Sequence, residues 1–219
     1  MKGLVKKDLY MTWAHGKLIL LICAFYVAAA SFGGRANIFW TFYIGMFAGM
    51  LPMSFYALDE RDGWITYSLT QPHSRGRIAS ERYVYSLLIA GCGVLLVAAV
   101  EALRAVHLGE FSLCGYVFTL VLASAAFVMP ATLTLPFMHA LGAERGRIAY
   151  VVVIVVFVSL FNGIFLSWGS DAEQAPAAPL TSLDSTVSIY VSLMILAAVA
   201  ALFAVSWAVS VAVFRRREF

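Results

Sequence analysis

The stretch 148-IAYVVVIVVFVSLFNGIFLSW-168 runs for 21 residues without a charged side chain. A helix of about 20 apolar residues crosses the hydrocarbon core of a bilayer, so this stretch predicts a membrane-spanning helix. The whole chain points the same way, because 62% of its 219 residues are hydrophobic and 12% are charged. A soluble domain carries about twice that charged fraction. We therefore expect a polytopic membrane protein.

Apolar runs of similar length occur along the rest of the chain, and the same length criterion predicts six spans. They lie at 17–32, 38–58, 83–106, 111–141, 148–168 and 187–214. The predicted fold is all-α, a single transmembrane domain over 1–219 with a leader at 1–16, a polar segment at 59–82 and a basic tail at 215–219. The fourth run is long and contains Pro130 and Pro136, which predicts either a tilted, kinked helix or a broken helix lining a pathway.

The distribution of Lys and Arg predicts the orientation of these spans. With the N-terminus in the cytoplasm, 13 of the 15 basic residues fall in cytoplasmic segments, and Arg35 and Arg104 remain outside. The segment 169–185 has no Lys or Arg and contains three acids. Because cytoplasmic loops are enriched in Lys and Arg, we expect six helices with both termini in the cytoplasm.

Motifs for catalysis are absent from the sequence. It has no phosphate-binding G-x-x-x-x-G-K-[ST], no H-E-x-x-H, no G-x-S-x-G and no C-x-x-C. Its three cysteines are scattered in or near apolar runs, which is typical of small buried hydrophobes. The net charge of +3 is too small to indicate a nucleic-acid partner. We expect no enzymatic activity, no metal site and no cofactor in this chain.

Two features inside the predicted spans are candidates for function or packing. Glu101 and Arg104 stand three residues apart near the end of the third span, which fits an ion pair at the outer interface or a polar group in a transport pathway. Gly45 and Gly49 in 45-GMFAG-49 permit close helix packing, either within one subunit or across a dimer.

The leader 1-MKGLVKKDLYMTWAHGK-17 places Val5, Leu9 and Trp13 in one i, i+4 row with Lys6 and Lys7 beside it. Such a row predicts a helix that lies at the membrane interface with its lysines toward the lipid head groups. The alternative is a positive anchor that only sets the orientation.

The polar segment lies within 59-DERDGWITYSLTQPHSRGRIASERY-83, which holds eight charged side chains, four of each sign. The acids at its start favour a helix N-terminus at Asp59. Pro72 predicts a break, and Ser74 is a candidate cap for a second helix that begins near Arg75 and enters the third span. Mixed charges with Trp64 and Tyr67 suit a protein–protein contact, and a plain solvated loop is the alternative.

The two cytoplasmic segments resemble those of short permease subunits in type-2 ATP-binding-cassette (ABC) exporters, a family that includes six-helix exporters of antimicrobial peptides and phenol-soluble modulins. The leader matches 1-MKGLVKKDLY-10, and the six-span layout agrees over the whole chain. Gln71 and His73 depart from the aliphatic residues common on either side of the proline. The matching positions of the polar segment are Asp59, Glu60, Gly63, Trp64, Tyr67, Pro72, Ser74, Arg75, Glu81, Arg82 and Tyr83.

The resemblance implies a permease of the bacterial cytoplasmic membrane that pairs with a second, identical or similar, permease copy. A separate subunit would bind ATP and Mg²⁺ and hydrolyse the ATP, and the exported compounds would be amphipathic peptides or other hydrophobic molecules. A stand-alone carrier or channel and a non-transporting accessory (immunity or assembly) subunit are the alternatives, although no acid lies near a predicted midplane to couple ions. The residues implied to couple to the ATPase are Asp59, Glu60, Arg61, Asp62, Gly63, Trp64, Tyr67, Pro72 and Arg75.

Overall fold

A computed structural model of the protein describes residues 2–15, 21–22, 25–26, 37–71, 74–108, 113–170 and 185–216. These residues are almost entirely helical, and no strand occurs among them. The helices are α1 (Lys2–His15), α2 (Asn37–Gly49), α3 (Leu51–Arg61), α4 (Trp64–Thr70), α5 (Arg75–Leu108), α6 (Leu113–Ser170) and α7 (Ser185–Arg216). The all-α prediction is confirmed.

Four helical stretches of the described residues are long and apolar enough to cross a membrane: Trp40–Arg61, Arg75–His107, Leu113–Gly146 and Ile189–Arg216. A shorter apolar stretch, Tyr150–Ser159, falls in the predicted fifth span. Most of the predicted first span lies outside the described residues. The multi-pass helical architecture is therefore confirmed, and the count of six spans and the cytoplasmic termini stay predictions.

The long helix α6 bends at Gly142, whose φ of 83° and ψ of 176° are not helical. We call residues 113–141 its first arm and residues 143–170 its second arm. The bend at Gly142 falls directly after the predicted fourth span, 111–141, and before the predicted fifth span, 148–168. Pro130 and Pro136 lie inside the first arm, where the backbone angles stay helical, and the kink predicted there stays a prediction. Helix α2 lies directly against Pro130, since a Cβ on Gly49 would lie 2.9 Å from its Cγ. Gly142 is the only residue of α6 with non-helical angles. This combination of φ and ψ is almost exclusive to glycine, which explains the residue type at the bend.

The core forms where the first arm of α6 packs against α2 and α5. A Cβ on Gly45 would lie 2.7 Å from the Ala126 Cβ, and a Cβ on Gly49 would lie 2.7 Å from the Phe127 carbonyl oxygen. On α5, a Cβ on Gly93 would overlap the Phe127 ring. Gly45 and Gly49 therefore pack against a helix of the same subunit, which is one of the two arrangements that their spacing allowed.

The polar segment differs in part from its prediction. Asp59 is not at a helix N-terminus, because α3 runs through Asp59 to Arg61 and carries these acids in its last turn. The chain then turns at Gly63, with a left-handed φ of 69°, and α4 begins at Trp64. The predicted helix start near Arg75 is confirmed, and the Ser74 carbonyl accepts hydrogen bonds from the Arg77 and Ile78 amides at 2.9 and 3.3 Å. The helix start predicted at Asp59 therefore lies at Trp64, five residues later, because the glycine at 63 adopts the positive φ of the turn without strain.

Candidate functional site

Several chain segments that are far apart in sequence meet at one end of the helix bundle, which we call the charged end. Helix α3 ends there and α5 begins there. The Arg75 guanidinium donates to the carbonyl of Arg215 at the end of α7, at 3.4 Å. The bend of α6 joins the same end, because the Ala143 amide donates to the Glu60 carboxylate. Helix α1 also packs onto α3 and α5 at this end.

Helix α1 is held at the charged end by a cluster of ion pairs that we call the brace, made of Lys7, Asp8, Asp59 and Arg82. The Arg82 guanidinium donates to Asp8 Oδ2 at 2.9 Å and also to Asp59. Lys7 Nζ pairs with Asp59 and lies 3.5 Å from Asp8 Oδ1. Since Asp8, Asp59 and Arg82 are all buried, the brace is a buried salt-bridge network that joins α1, α3 and α5.

The brace has a clear electrostatic cause. The carbonyl end of a helix is partly negative, so the acids in the last turn of α3 are unfavourable there unless cations lie near them. Lys7 and Arg82 supply these cations. Burial raises the pKa of Asp8 from its ordinary value, Arg82 and Lys7 oppose the rise, and the neighbouring Asp59 adds to it. A buried network of this kind depends on every member, because removing one leaves an uncompensated charge.

Glu60 links the polar segment to a different helix. Its carboxylate accepts the Ala143 amide, which is the first N–H of the second arm of α6. A carboxylate at a helix N-terminus satisfies a free donor and complements the positive end of the helix dipole. Asp59 and Glu60, adjacent in sequence, therefore connect the end of α3 to three other helices: α1, α5 and α6.

The short helix α4 presents an outward face. Its Ile65 and Ser68 are buried, and the Trp64 ring packs against Tyr67 with ring centres 5.4 Å apart. Lys7 Nζ lies 4.7 Å from the centre of the Trp64 ring, a cation–π contact between α1 and α4. The exposed side chains beside and along α4, which we call the docking face, are Arg61, Asp62, Thr66, Tyr67 and Thr70.

The structure sorts the predicted coupling residues into two groups. Asp59 and Glu60 point inward and hold neighbouring helices, whereas Arg61, Asp62 and Tyr67 are exposed. Trp64 lies between the groups. Arg75 is exposed beside α7, and Pro72 lies outside the described residues.

The leader is a helix whose buried side is polar. Asp8 is buried, and the Thr12 hydroxyl lies 2.6 Å from the Tyr85 hydroxyl. Leu9 and Trp13 are exposed, with Trp13 74% accessible, and Lys6 is exposed beside them. Two members of the predicted apolar row therefore face away from the protein, while Val5 is partly buried. Lys7 was predicted to face lipid head groups, but it points into the brace because Asp59 and Asp8 attract it there. The interfacial position of the leader stays a prediction.

Glu101 and Arg104 lie near the opposite end of α5, where Arg104 Nη1 and Glu101 Oε2 are 3.4 Å apart. Their side chains are 13% and 29% exposed. They form the local i, i+3 pair, remote from the brace, that was one of the two predicted alternatives.

Sequence reasoning did not single out Asp8, Glu81 or His139 as site residues. Glu81 is buried beside Arg82, and the His139 ring packs edge-on against Tyr56 and Phe214, with ring centres 5.2 and 5.3 Å away. Glu81 and His139 line a cavity of about 10 Å³, which has room for roughly one water molecule, and Asp8 does not. Two features of the sequence could have indicated this site: Asp8 inside the lysine-rich leader, and the charged residues Glu81 and Arg82 just before the apolar run at 83–106.

No metal-binding group of three or more His, Cys, Asp or Glu side chains occurs within the part of the chain that the structure describes. The charged end thus offers ion pairs, a helix cap and an exposed aromatic face. In chemical terms, this arrangement holds helices together and can bind a protein.

Comparison with curated proteins gives no match to this sequence. The family model described as ABC-2 family transporter protein matches residues 3–215, from the first turn of α1 to the last turn of α7. The match covers residues 59–83 and all but the first two residues of the leader, on which the resemblance rested, and it supports a membrane permease component of an ABC transporter. The finer assignment to the six-helix peptide exporters stays a prediction. The chain belongs to the ABC-2 family of transporter proteins.

Proposed function

We propose that this permease forms the export pathway of an ATP-driven transporter and is driven through α4 by a separate ATPase subunit. The observation that carries the proposal is the combination of an exposed docking face on α4 with buried ties behind it. Lys7 contacts the Trp64 ring, Arg82 binds Asp59, and Ala143 binds Glu60. A face that binds a partner and is fastened to several helices can transmit a movement to them.

The transmission runs through three separate contacts. Displacement of α4 acts on α1 through Trp64 and Lys7. Displacement of the end of α3 acts on α5 through the brace, and it acts on the second arm of α6 through Glu60. Gly142 is the natural hinge for that arm, since its backbone conformation differs from the helix on either side.

The chemistry of the partner follows from the docking face. It presents one cation, one anion and the ring of Tyr67, which is 55% exposed. Interfaces are enriched in aromatic residues and Arg at their centre, so a groove with polar walls and an apolar floor suits this face. The ATPase would supply ATP and Mg²⁺ chemistry, and this chain would supply the helices that move.

The substrate class is part of the same proposal. A second permease copy, identical or similar, would complete the pathway. The apolar helix surfaces favour amphipathic peptides or other hydrophobic compounds as cargo, and the bacterial cytoplasmic membrane is the proposed location.

Reconstitution of the permease with its ATPase in proteoliposomes tests the proposal. ATP-dependent movement of an amphipathic peptide is expected. Tyr67→Ala should lower both ATPase association and transport, whereas Glu60→Gln should preserve association and lower transport per ATP hydrolysed. Leu95→Ala, at an exposed position on α5 remote from the docking face, is the matched control.

Two outcomes contradict this function. Transport driven by an ion gradient without the ATPase would identify a stand-alone carrier. Stable association with no transport of any tested cargo, and no effect on ATP turnover, would identify an accessory subunit.

A further inference from the structure

A second surface at the charged end is rich in arginine and shares no residue with the docking face. Arg75 and Arg77 begin α5, and Arg215 and Arg216 end α7, all four exposed. The two helix ends touch, because the Arg75 guanidinium donates to the Arg215 carbonyl at 3.4 Å. We call these four residues the arginine patch.

Gly76 brings the charges of the patch close together. A Cβ at this glycine would lie 3.2 Å from Arg215 Nη2 and 3.5 Å from Val211 Cγ1. The Arg215 guanidinium therefore lies against the first turn of α5 at Gly76, which stands between Arg75 and Arg77 in the sequence. Among the described residues, no ion pair involves Arg77, Arg215 or Arg216.

The charges of the patch favour an anionic ligand. Arg75 and Arg77 stand at the positive end of the α5 dipole, where cations are unfavourable and anions are favourable. Guanidinium groups bind phosphate through paired N–H donors, so a phosphate would relieve the repulsion and complete their hydrogen bonds.

The surface next to the patch is apolar and continuous with it. Leu202, Val205 and Val209 are exposed on α7, and their helical spacing leads to Arg216. Beside them, the 44%-exposed Trp207 donates its indole N–H to Ser80 Oγ at 2.9 Å, a polar tip and apolar body typical of the membrane interface. An apolar stripe that ends in arginines matches the shape of a phospholipid.

We propose that the arginine patch binds the phosphate headgroup of an anionic phospholipid whose acyl chain lies along Leu202, Val205 and Val209. The apolar stripe favours a lipid over a free phosphate or an acidic protein, because neither of those needs it. This site shares no residue with the docking face, and its lipid binding does not depend on the proposed transport cycle.

Lipid retention by the full chain tests the site. The purified protein is washed in non-ionic detergent with an equal mixture of phosphatidylglycerol and phosphatidylcholine, and the bound lipids are counted by native mass spectrometry. Wild-type protein should retain phosphatidylglycerol preferentially. Arg215→Gln with Arg216→Gln should lower that retention on the order of tenfold, since each basic residue near an anionic lipid surface contributes severalfold to binding. Arg61→Gln with Arg145→Gln, two exposed arginines outside the patch, should leave it unchanged.

A second measurement needs no variant. In nanodiscs, phosphatidylglycerol should raise the unfolding temperature of wild-type protein above its value in phosphatidylcholine, and inorganic phosphate at equal concentration should not. The proposal would be overturned if the two double variants retained equal amounts of phosphatidylglycerol. It would also be overturned if inorganic phosphate raised the unfolding temperature as much as phosphatidylglycerol does. Loss of ATPase association with unchanged lipid retention in Arg215→Gln with Arg216→Gln would reassign the patch to a protein partner.

Discussion

Replacement of Arg82 by glutamine removes the central cation of the brace. Its side chain is 5% exposed and binds Asp8, which is fully buried, and Asp59, which is 4% exposed. The substitution leaves these carboxylates facing each other with Lys7 as the remaining cation of the brace. Breaking a buried ion pair by removing one partner costs about 3–5 kcal/mol, because a buried charge is left uncompensated. We expect Arg82→Gln to lower the free energy of unfolding by about that amount.

The assay is an unfolding titration of the purified protein with SDS in mixed micelles, followed by circular dichroism. The matched control is Arg104→Gln, which removes the same group from an i, i+3 pair that is partly exposed. Exposed pairs contribute about 1 kcal/mol or less, so the control should lose no more than that. The two variants differ in burial and not in chemistry.

Adding Asp59→Asn to Arg82→Gln should restore part of the lost stability, because the double variant removes the Asp59 carboxylate together with its Arg82 partner. The reasoning is refuted if Arg82→Gln and Arg104→Gln lose the same stability. It is also refuted if the effects of Asp59→Asn and Arg82→Gln simply add.

Three further predictions concern the hinge, its cap and the core. Gly142→Ala should cost about 1–3 kcal/mol of unfolding free energy, since its φ and ψ are nearly exclusive to glycine, whereas the control Gly91→Ala, with open space around it, should be neutral or stabilising. Glu60→Gln should cost about 1 kcal/mol by weakening the cap at Ala143, and unchanged stability in an SDS titration would contradict the cap. Gly45→Ala should cost about 1–3 kcal/mol, because its Cβ would overpack against α6, and an unaltered SDS midpoint would show that the helices separate freely.

Local pattern predicted much of the fold. The apolar runs gave the helices, and Pro72 followed by Ser74 and Arg75 marked the start of α5, because a helix start depends on neighbouring residues. Gly45 and Gly49 indicated close packing without identifying the partner helix, since spacing on one helix carries no information about its neighbour.

The brace could not be predicted in the same way. Lys7 meets Asp59 across 52 residues, and Asp8 meets Arg82 across 74 residues, so no local pattern joins them. Local sequence also could not show that Asp59 lies at the end of a helix and not at its start. Acids suit a helix start, and only the tertiary contacts with Lys7 and Arg82 stabilise them at the end of α3. The bend at Gly142 coincides with the boundary predicted between the spans 111–141 and 148–168, but the apolar pattern could not show that the helix resumes directly after it.

The central claim is that α4 is the surface on which the ATPase acts. Its most direct measurement is photo-crosslinking from a benzoyl-phenylalanine placed at Tyr67, with the same probe at Leu95 as the control, since both positions are exposed. We expect the probe at position 67 to capture a subunit carrying an ATP-binding phosphate loop, and we expect no such capture from position 95. Equal capture at both positions, or none at position 67 in a transport-competent complex, would contradict it.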